Sequence, residues 1–186
     1  LVSSILNPYT KELTRGIEDV CNEHEYSMVL CNTEDDQAKQ QKYIDILVAK
    51  QMDGYIIQPA PHDYQSIRRL VDSSLPVVLV DRTLPQSYVG VDAVIVNNEL
   101  SARNAVKYLL ALGHRRIGTF TVHPSGVSSR QDRLMGYVRA LKEEGIPPCQ
   151  DYIKVFAPGR GEAEKCVREL LGLDDPPTAV LTMNGW

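Results

Sequence analysis

Short runs of Val, Ile and Leu alternate with helix-like segments along the first 121 residues of the chain. Two clear runs are Val77–Val80, which is continuously apolar, and the short run at residues 117–121, which begins with Ile117 and contains Phe120. A continuous apolar run indicates a strand that is buried on both faces, which is the situation of a parallel sheet between two layers of helices. The alternation therefore predicts an α/β fold with parallel sheets.

Residues 97–121 show the repeating helix-strand unit most clearly. Asn97 and Asn98 offer side chains that can cap the free amides at a helix start. Gly113 follows the last apolar residue of that helix, at a position where helices commonly end in a left-handed conformation. Equivalent patterns predict strands at residues 1–5, 26–31, 55–57, 77–80, 93–96, 117–121, 152–156 and 179–182.

The loop at residues 122–128 shows no periodicity and is the candidate domain boundary. The pattern Ser129-x-x-Asp132 that follows is typical of a helix start in which the two side chains cap the backbone. This divides the chain into a first lobe at residues 1–121 and the beginning of a second lobe at residues 122–186. Because the second lobe contains only two predicted strands, we expect the chain to be a piece of a longer protein.

Composition excludes several classes of protein. The net charge of −4 argues against a surface built mainly to bind nucleic acid. No apolar run reaches the roughly 18 residues that a membrane span requires, so no membrane association is expected. The dinucleotide-binding, P-loop and nucleophile-elbow motifs are all absent from the sequence. We therefore expect neither an enzymatic activity nor a metal or other cofactor.

The four cysteines, Cys21, Cys31, Cys149 and Cys166, form no C-x-x-C pair. Cys21 and Cys166 fall on the apolar faces of predicted helices, where a free cysteine behaves as a small core residue. Free cysteines predict a reducing compartment, and hence a cytoplasmic location.

Ligands of parallel α/β sheets collect at the carboxyl ends of the strands. Here those ends are residues 3–9, 32–35, 58–61, 81–82 and 122–129. The acidic residues 34–36 also begin a predicted helix, whose dipole favours negative charge. We interpret them as part of that helix start rather than as a catalytic pair.

A series of short motifs follows the predicted elements in a specific order. They are Asn7-Pro8-Tyr9, Arg15-Gly16-Ile17-Glu18, Leu30-Cys31-Asn32-Thr33, Met52-Asp53-Gly54-Tyr55-Ile56-Ile57, Pro76-Val77-Val78-Leu79-Val80-Asp81-Arg82, Val96-Asn97-Asn98, Leu112-Gly113-His114-Arg115-Arg116-Ile117-Gly118, Arg133-Leu134-x-Gly136-Tyr137 and Pro177-Thr178-Ala179-Val180. In this order the chain resembles the effector-binding core of the LacI/GalR family of bacterial transcription regulators.

The resemblance implies a periplasmic-binding-protein-like fold of type I, with two Rossmann-like lobes of which the second is incomplete here. It also implies a homodimer that binds a small effector in the cleft between the lobes. Operator DNA would be read by a helix-turn-helix that precedes this chain and is absent from it. The implied function is that of an effector-sensing domain.

The resemblance also places candidate ligand-binding residues. They are Asn7, Tyr9, Asp81, Arg82, Ser129, Arg133 and Asn184. Tyr9 would lie against the apolar face of a sugar ring, and the two arginines favour a sugar acid or a sugar phosphate over a neutral sugar. Two alternatives stay open: Asn7 caps a helix, and Asp81 orients Arg82 instead of touching the ligand.

A secreted sugar-binding protein that feeds a transporter would share this fold. Such a protein is expected to carry a signal peptide and no free cysteines. The four unpaired cysteines and the motif at residues 112–118 favour the transcription regulator.

Overall fold

The structure is a computed structural model that describes residues 1–85, 90–157, 159 and 161–183. The chain folds into two compact units, unit 1 at Leu1–Ile95 and unit 2 at Val96–Trp186. Unit 1 contains α1 (Pro8–Glu23), α2 (Gln37–Ala49), β1 (Tyr55–Ile57), α3 (Gln65–Asp72), β2 (Val77–Val80) and β3 (Asp92–Val94). Unit 2 contains α4 (Asn98–Ala111), β4 (Ile117–Val122), α5 (Ser128–Glu143), a 3-10 turn (Gln150–Tyr152), β5 (Ile153–Phe156), α6 (Glu162–Leu171) and β6 (Ala179–Thr182).

The sheet of unit 1 is parallel, in the order β1-β2-β3, as the apolar runs predict. The start of the chain continues the hydrogen bonding beside β1. The Leu1 amine donates to the Ile56 carbonyl at 2.8 Å, and the Gln58 amide donates to the Leu1 carbonyl at 3.0 Å. On its other side, the amide of Val2 donates to the Cys31 carbonyl at 2.9 Å.

The strands predicted at residues 1–5 and 26–31 are wrong as regular strands. Only an isolated bridge between Val2 and Asn32 forms there, and residues 26–30 belong to no helix or strand. Tyr26, Val29 and Leu30 are 59%, 52% and 46% exposed. The segment at 26–30 resembles a strand in sequence because it is apolar. In the structure these three side chains are exposed, and the segment forms almost no sheet hydrogen bonds.

Apolar side chains from both helices and strands form the core of unit 1. This core includes Ile44, Leu47, Ile57, Ile67, Leu70 and Leu79. Helices α2 and α3 therefore pack against this sheet as predicted, but the predicted burial of the strands on both faces is not met, since Ile56 and Val94 are 37% and 66% exposed.

Unit 2 is built around β4, which lies between β5 and β6 in a second parallel sheet. The core side chains Val106, Ile117 and Tyr137 are at most 1% exposed, and the Tyr137 hydroxyl donates to the Ile117 carbonyl at 2.7 Å. Burial raises the pKa of Tyr137 well above its ordinary value. Its hydroxyl therefore stays a hydrogen-bond donor within the core.

The lobe boundary predicted after residue 121 differs from the boundary in the structure. Strand β4 pairs with β5 and β6, and α4 packs along α5, so both belong to unit 2. The compact units meet in sequence between Ile95 and Val96. Sequence periodicity placed the boundary at the irregular loop, but strand pairing determines which sheet each element joins.

The helix ends expected around α4 are confirmed. The Asn97 side chain accepts a hydrogen bond from the Leu100 amide at 3.0 Å, and Gly113 has a φ of +92°. No helix within the described parts of the chain is both long and apolar enough to cross a lipid bilayer.

Helices α4 and α5 approach closely at Gly136. A Cβ atom there would overlap the carbonyl oxygen of Glu99 and would lie 3.0 Å from the amide nitrogen of Arg103. Because both obstacles are backbone atoms of α4, neither can rotate away. The close packing of the two helices therefore requires a glycine at this position.

We expect Gly136→Ala to lower the free energy of unfolding by about 1 to 3 kcal/mol, since overpacking forces the helices apart. Gly16→Ala is the matched control, because Gly16 lies inside α1 and an added Cβ meets no atom within 4 Å. That control should raise the free energy by up to about 1 kcal/mol through helix propensity. Urea unfolding followed by circular dichroism measures both, and equal stabilities of the two variants would contradict the close approach.

Candidate functional site

Five polar residues of unit 1 form a connected group at the carboxyl ends of its strands. We call this group the strand-end cluster, and its members are Ser3, Asp35, Gln58, Asp81 and Arg82. Gln58 directly follows β1, and Asp81 and Arg82 directly follow β2. Parallel strands bring their carboxyl ends to one edge of the sheet, which is where ligands of α/β folds bind.

Gln58 connects two members of the strand-end cluster through its amide group. Its Oε1 accepts hydrogen bonds from the backbone amide and the hydroxyl of Ser3, at 2.9 and 2.8 Å. Its Nε2 donates to Asp81 Oδ2 at 2.8 Å. Because Gln58 is 1% exposed, these partners satisfy a side chain that water barely reaches. The amide thus fixes the position of the Asp81 carboxylate.

Arg82 is 5% exposed and its guanidinium joins three chain segments. Nη1 donates to Asp35 Oδ1 at 2.6 Å and to the Pro59 carbonyl at 2.7 Å. Nη2 lies 3.4 Å from Asp35 Oδ2, and Nε lies 3.6 Å from Asp81 Oδ2. Two carboxylates therefore face one guanidinium, and the buried positive charge is neutralised within the protein.

Asp81 has a left-handed backbone, with a φ of +65°. Aspartate tolerates this conformation better than most residues because its short polar side chain bonds locally. The Asp81 amide donates to the Val94 carbonyl at 3.0 Å and continues the pairing with β3, and the Arg82 amide donates to the Val80 carbonyl at 2.7 Å, so the chain turns sharply after β2. The turn brings Arg82 into the interior and places the Asp81 side chain, 12% exposed, beside it.

Asn7 and Tyr9 lie at the start of α1. The Asn7 side chain accepts a hydrogen bond from the Tyr9 amide at 3.0 Å, so Asn7 is the helix cap. Tyr9, in the first turn of α1, is 42% exposed. The alternative that Asn7 caps a helix is thus confirmed.

Arg133 of unit 2 connects three elements of that unit. Its Nε donates to Asn98 Oδ1 at 2.8 Å, and its Nη1 donates to the Met183 carbonyl at 2.6 Å. Asn98 is the first residue of α4, and Met183 follows β6. Arg133 therefore holds the start of α4 and the end of β6 against α5. The predicted ligand residue Asn184 lies outside the described residues.

Ser129 is 3% exposed in the first turn of α5. The helix begins at Ser128 and its cap position is Val127, which makes no side-chain capping bond. The predicted capping role of Ser129 and Asp132 is therefore wrong, since Ser129 already lies inside the helix.

The sequence placed Ser3, Asp35 and Gln58 within the ranges at the strand ends but did not single them out as site residues, and it assigned Asn98 only to a helix start. Asp36 alone caps α2, by accepting a hydrogen bond from the Lys39 amide at 2.8 Å, whereas its neighbour Asp35 turns to Arg82. The assignment of all three acidic residues at 34–36 to the helix start is therefore wrong for Asp35. A usable signal was present for Gln58, because a polar residue directly after a buried strand marks the ligand edge of a parallel sheet.

Within the described ranges, no group of three or more His, Cys, Asp or Glu side chains is arranged to hold a metal ion.

The profile of the family described as periplasmic binding proteins and sugar binding domain of LacI family matches residues 1–185. The chain therefore belongs to this family. It is 36% identical over 185 residues to a probable HTH-type transcriptional regulator EndR of Paenibacillus polymyxa, covering 98% of this chain and 53% of that protein. It is 30% identical over 185 residues to the HTH-type transcriptional repressor PurR of Aliivibrio salmonicida, covering 99% of this chain and 55% of the relative.

A similar solved structure is that of a putative ribose operon repressor from Burkholderia thailandensis. It has a TM-score of 0.84 and 33% sequence identity, and the match covers 98% of this chain and 66% of that one. These comparisons confirm the predicted periplasmic-binding-protein-like fold. The chain spans about half the length of the curated relatives, and those named here are transcription regulators rather than enzymes.

Removing Arg82 should destabilise the protein strongly. Arg82→Ala leaves the Asp35 and Asp81 carboxylates without their shared partner, and we expect a loss of about 3 to 5 kcal/mol in the free energy of unfolding. Arg68→Ala is the matched control, since Arg68 is 50% exposed and pairs with Asp72 on the surface of α3. The control should lose less than about 1 kcal/mol.

Urea denaturation of both variants tests this difference. A loss in Arg82→Ala no larger than that in Arg68→Ala would show that the strand-end cluster does not depend on the guanidinium.

Proposed function

We propose that this chain is the effector-sensing part of a cytoplasmic transcription regulator of the LacI type. It binds a small sugar or sugar derivative, and the bound ligand changes the affinity of the regulator for operator DNA. A helix-turn-helix outside these 186 residues contacts the DNA, and the regulator acts as a homodimer. The proposal draws on the family membership and on the naming of the relatives as HTH-type regulators.

One observation about the site carries the proposal. Buried polar side chains concentrate at the carboxyl ends of β1 and β2, whereas the core behind them is apolar. Burying Gln58 and Arg82 without partners would cost several kcal/mol, so the fold supplies hydrogen-bond partners that keep them there. A preorganised polar edge on a rigid sheet is what recognition of a polar small molecule requires.

The proposed contacts in unit 1 are Asn7, Tyr9, Asp81 and Arg82. The exposed ring of Tyr9 offers a surface for the apolar face of a sugar. Asp81 is held by Gln58 at one oxygen, and its carboxylate accepts hydrogen bonds from ligand hydroxyls. Arg82 supports this geometry by fixing the ends of neighbouring segments.

Unit 2 contributes Ser129, Arg133 and Asn184 in this proposal. Arg133 connects the first residue of α4 to the end of β6, so its position responds to both elements. A ligand that binds one conformation of the regulator more tightly shifts the population toward that conformation by the difference in affinity. The same shift changes the fraction of regulator that can bind operator DNA.

A thermal-shift screen of the chain tests the ligand-binding step. The panel contains sugars, polyols, sugar acids, sugar phosphates and purines. A ligand at about 100 times its Kd stabilises the folded state by about 2.7 kcal/mol, so its melting temperature should rise by several degrees. Tyr9→Ala should abolish most of the rise, and the surface variant Arg68→Ala should retain it.

A rise that survives in Tyr9→Ala, Asp81→Asn and Arg133→Ala would place the ligand elsewhere. The absence of a rise across the panel would contradict sensing of these ligand classes. With the complete regulator, a ligand found in the screen should change the concentration of protein needed to retard an operator fragment in a gel.

A further inference from the structure

The start of α4 contains a buried amide side chain that has two different partners. Asn98, the first residue of α4, is 7% exposed. Its Oδ1 accepts a hydrogen bond from Arg133 Nε at 2.8 Å, and its Nδ2 donates to the Val96 carbonyl at 3.1 Å. One amide group thus connects a proposed ligand contact to the segment through which the chain enters unit 2.

The chemistry of these two partners requires an amide at residue 98. A guanidinium offers only donors and a carbonyl oxygen only accepts, so the side chain between them must do both. A carboxylate of the same shape could hold Arg133, but it would face the Val96 oxygen without a proton to donate. Leaving a buried amide without partners would also be costly. Arg133 and Val96 therefore hold Asn98 in a single orientation.

Val96 is the first residue of unit 2. Its side chain is 49% exposed, so packing restrains this residue only in part. The Val96 carbonyl accepts a second hydrogen bond, from the backbone amide of Asn98, at 2.8 Å. Both bonds come from the same residue, so a displacement of Asn98 changes the geometry at residue 96 directly.

The packing of α4 on α5 gives Asn98 and Arg133 a common frame. Gly136 follows Arg133 in α5, and the backbone of Glu99 fills the space that a Cβ atom would need there. Because this contact fixes the two helices beside the pair, the Arg133 side chain is the part that can adjust. Its Nη1 donates to the Met183 carbonyl at 2.6 Å, whereas Nη2 forms no hydrogen bond with any residue that the structure describes.

We infer that Asn98 is a positioning residue, which couples Arg133 to the segment that enters unit 2 at Val96. The inference rests on the proposed function, in which Arg133 contacts the effector. A ligand group that accepts a hydrogen bond from Nη2 shifts the guanidinium, whose Nε is bonded to Asn98. Asn98 transmits this shift to the Val96 carbonyl and does not itself touch the ligand.

Nuclear magnetic resonance of the isotope-labelled chain tests the coupling without any ligand. The reporter is the amide signal of Asn97, whose peptide group contains the Val96 carbonyl. Arg133→Lys keeps the positive charge but removes the planar fork that holds two partners at once. We expect this substitution to move the reporter signal in the otherwise unchanged chain, and to move it at most about a third as far in an Asn98→Ala background.

An equal displacement in both backgrounds would overturn the inference, because the effect would then bypass residue 98. Asn98→Leu is the second background, since leucine has a similar volume and forms neither hydrogen bond. It keeps the comparison available if Asn98→Ala does not fold. The response of the Asn97 signal to Arg133→Lys should be lost there as well, and a full response would contradict the coupling.

Ligand titrations test the positioning role separately. The probes are neutral pentoses and hexoses and their phosphates, each added alone and followed by calorimetry. The probe that binds most tightly should bind Asn98→Ala at least about tenfold more weakly, because Arg133 loses the partner that orients it. Asn104→Ala is the matched control, since Asn104 is exposed on the same helix, and its affinity should equal that of the unchanged chain.

Equal affinities of the Asn98→Ala and Asn104→Ala proteins would overturn the positioning role. If no probe binds to the unchanged chain, the proposed ligand sensing is what fails. The Asn97 signal then decides the coupling by itself, because that measurement needs no ligand.

Discussion

The buried guanidinium of Arg82 is the interaction on which the ligand edge of unit 1 depends. Its Nη1 donates to Asp35 Oδ1 at 2.6 Å and to the Pro59 carbonyl at 2.7 Å. The end of β2 is therefore connected to the segment before α2 and to the segment that follows β1. A buried charge is tolerated only when it is paired and hydrogen-bonded. The pairing with Asp35 makes the arginine acceptable inside the protein and fixes the position of the end of β2.

Gln58 extends this constraint across the sheet. Its amide accepts from Ser3 and donates to Asp81, so the end of β1 is connected to both the start of the chain and the end of β2. Unit 2 uses the same principle with Arg133, whose guanidinium reaches the start of α4 and the end of β6. In both units an arginine near the carboxyl ends of the strands joins elements that are far apart in sequence, so its loss affects the geometry of the site as well as its charge.

Part of the fold followed from local patterns. The apolar runs at 55–57, 77–80 and 179–182 coincide with strands, because each is short, bounded by turn residues and paired in a parallel sheet. The segment at 26–30 has a similar pattern but forms no strand, since sheet hydrogen bonding begins only at Cys31. The motifs that resemble the LacI/GalR family also led to the fold that the comparisons confirm.

The sequence by itself determined the parallel α/β class, the caps at Asn7 and Asn97, and the location of polar residues at strand ends, because these depend on neighbours within a few positions. Only the tertiary structure decided that α4 and β4 belong to unit 2, and that Asp35 serves Arg82 while Asp36 caps α2. Pairing partners 47 residues apart leave no periodic signal in the chain. The charge presented to a ligand depends on those partners, so it could be assigned only from the folded geometry.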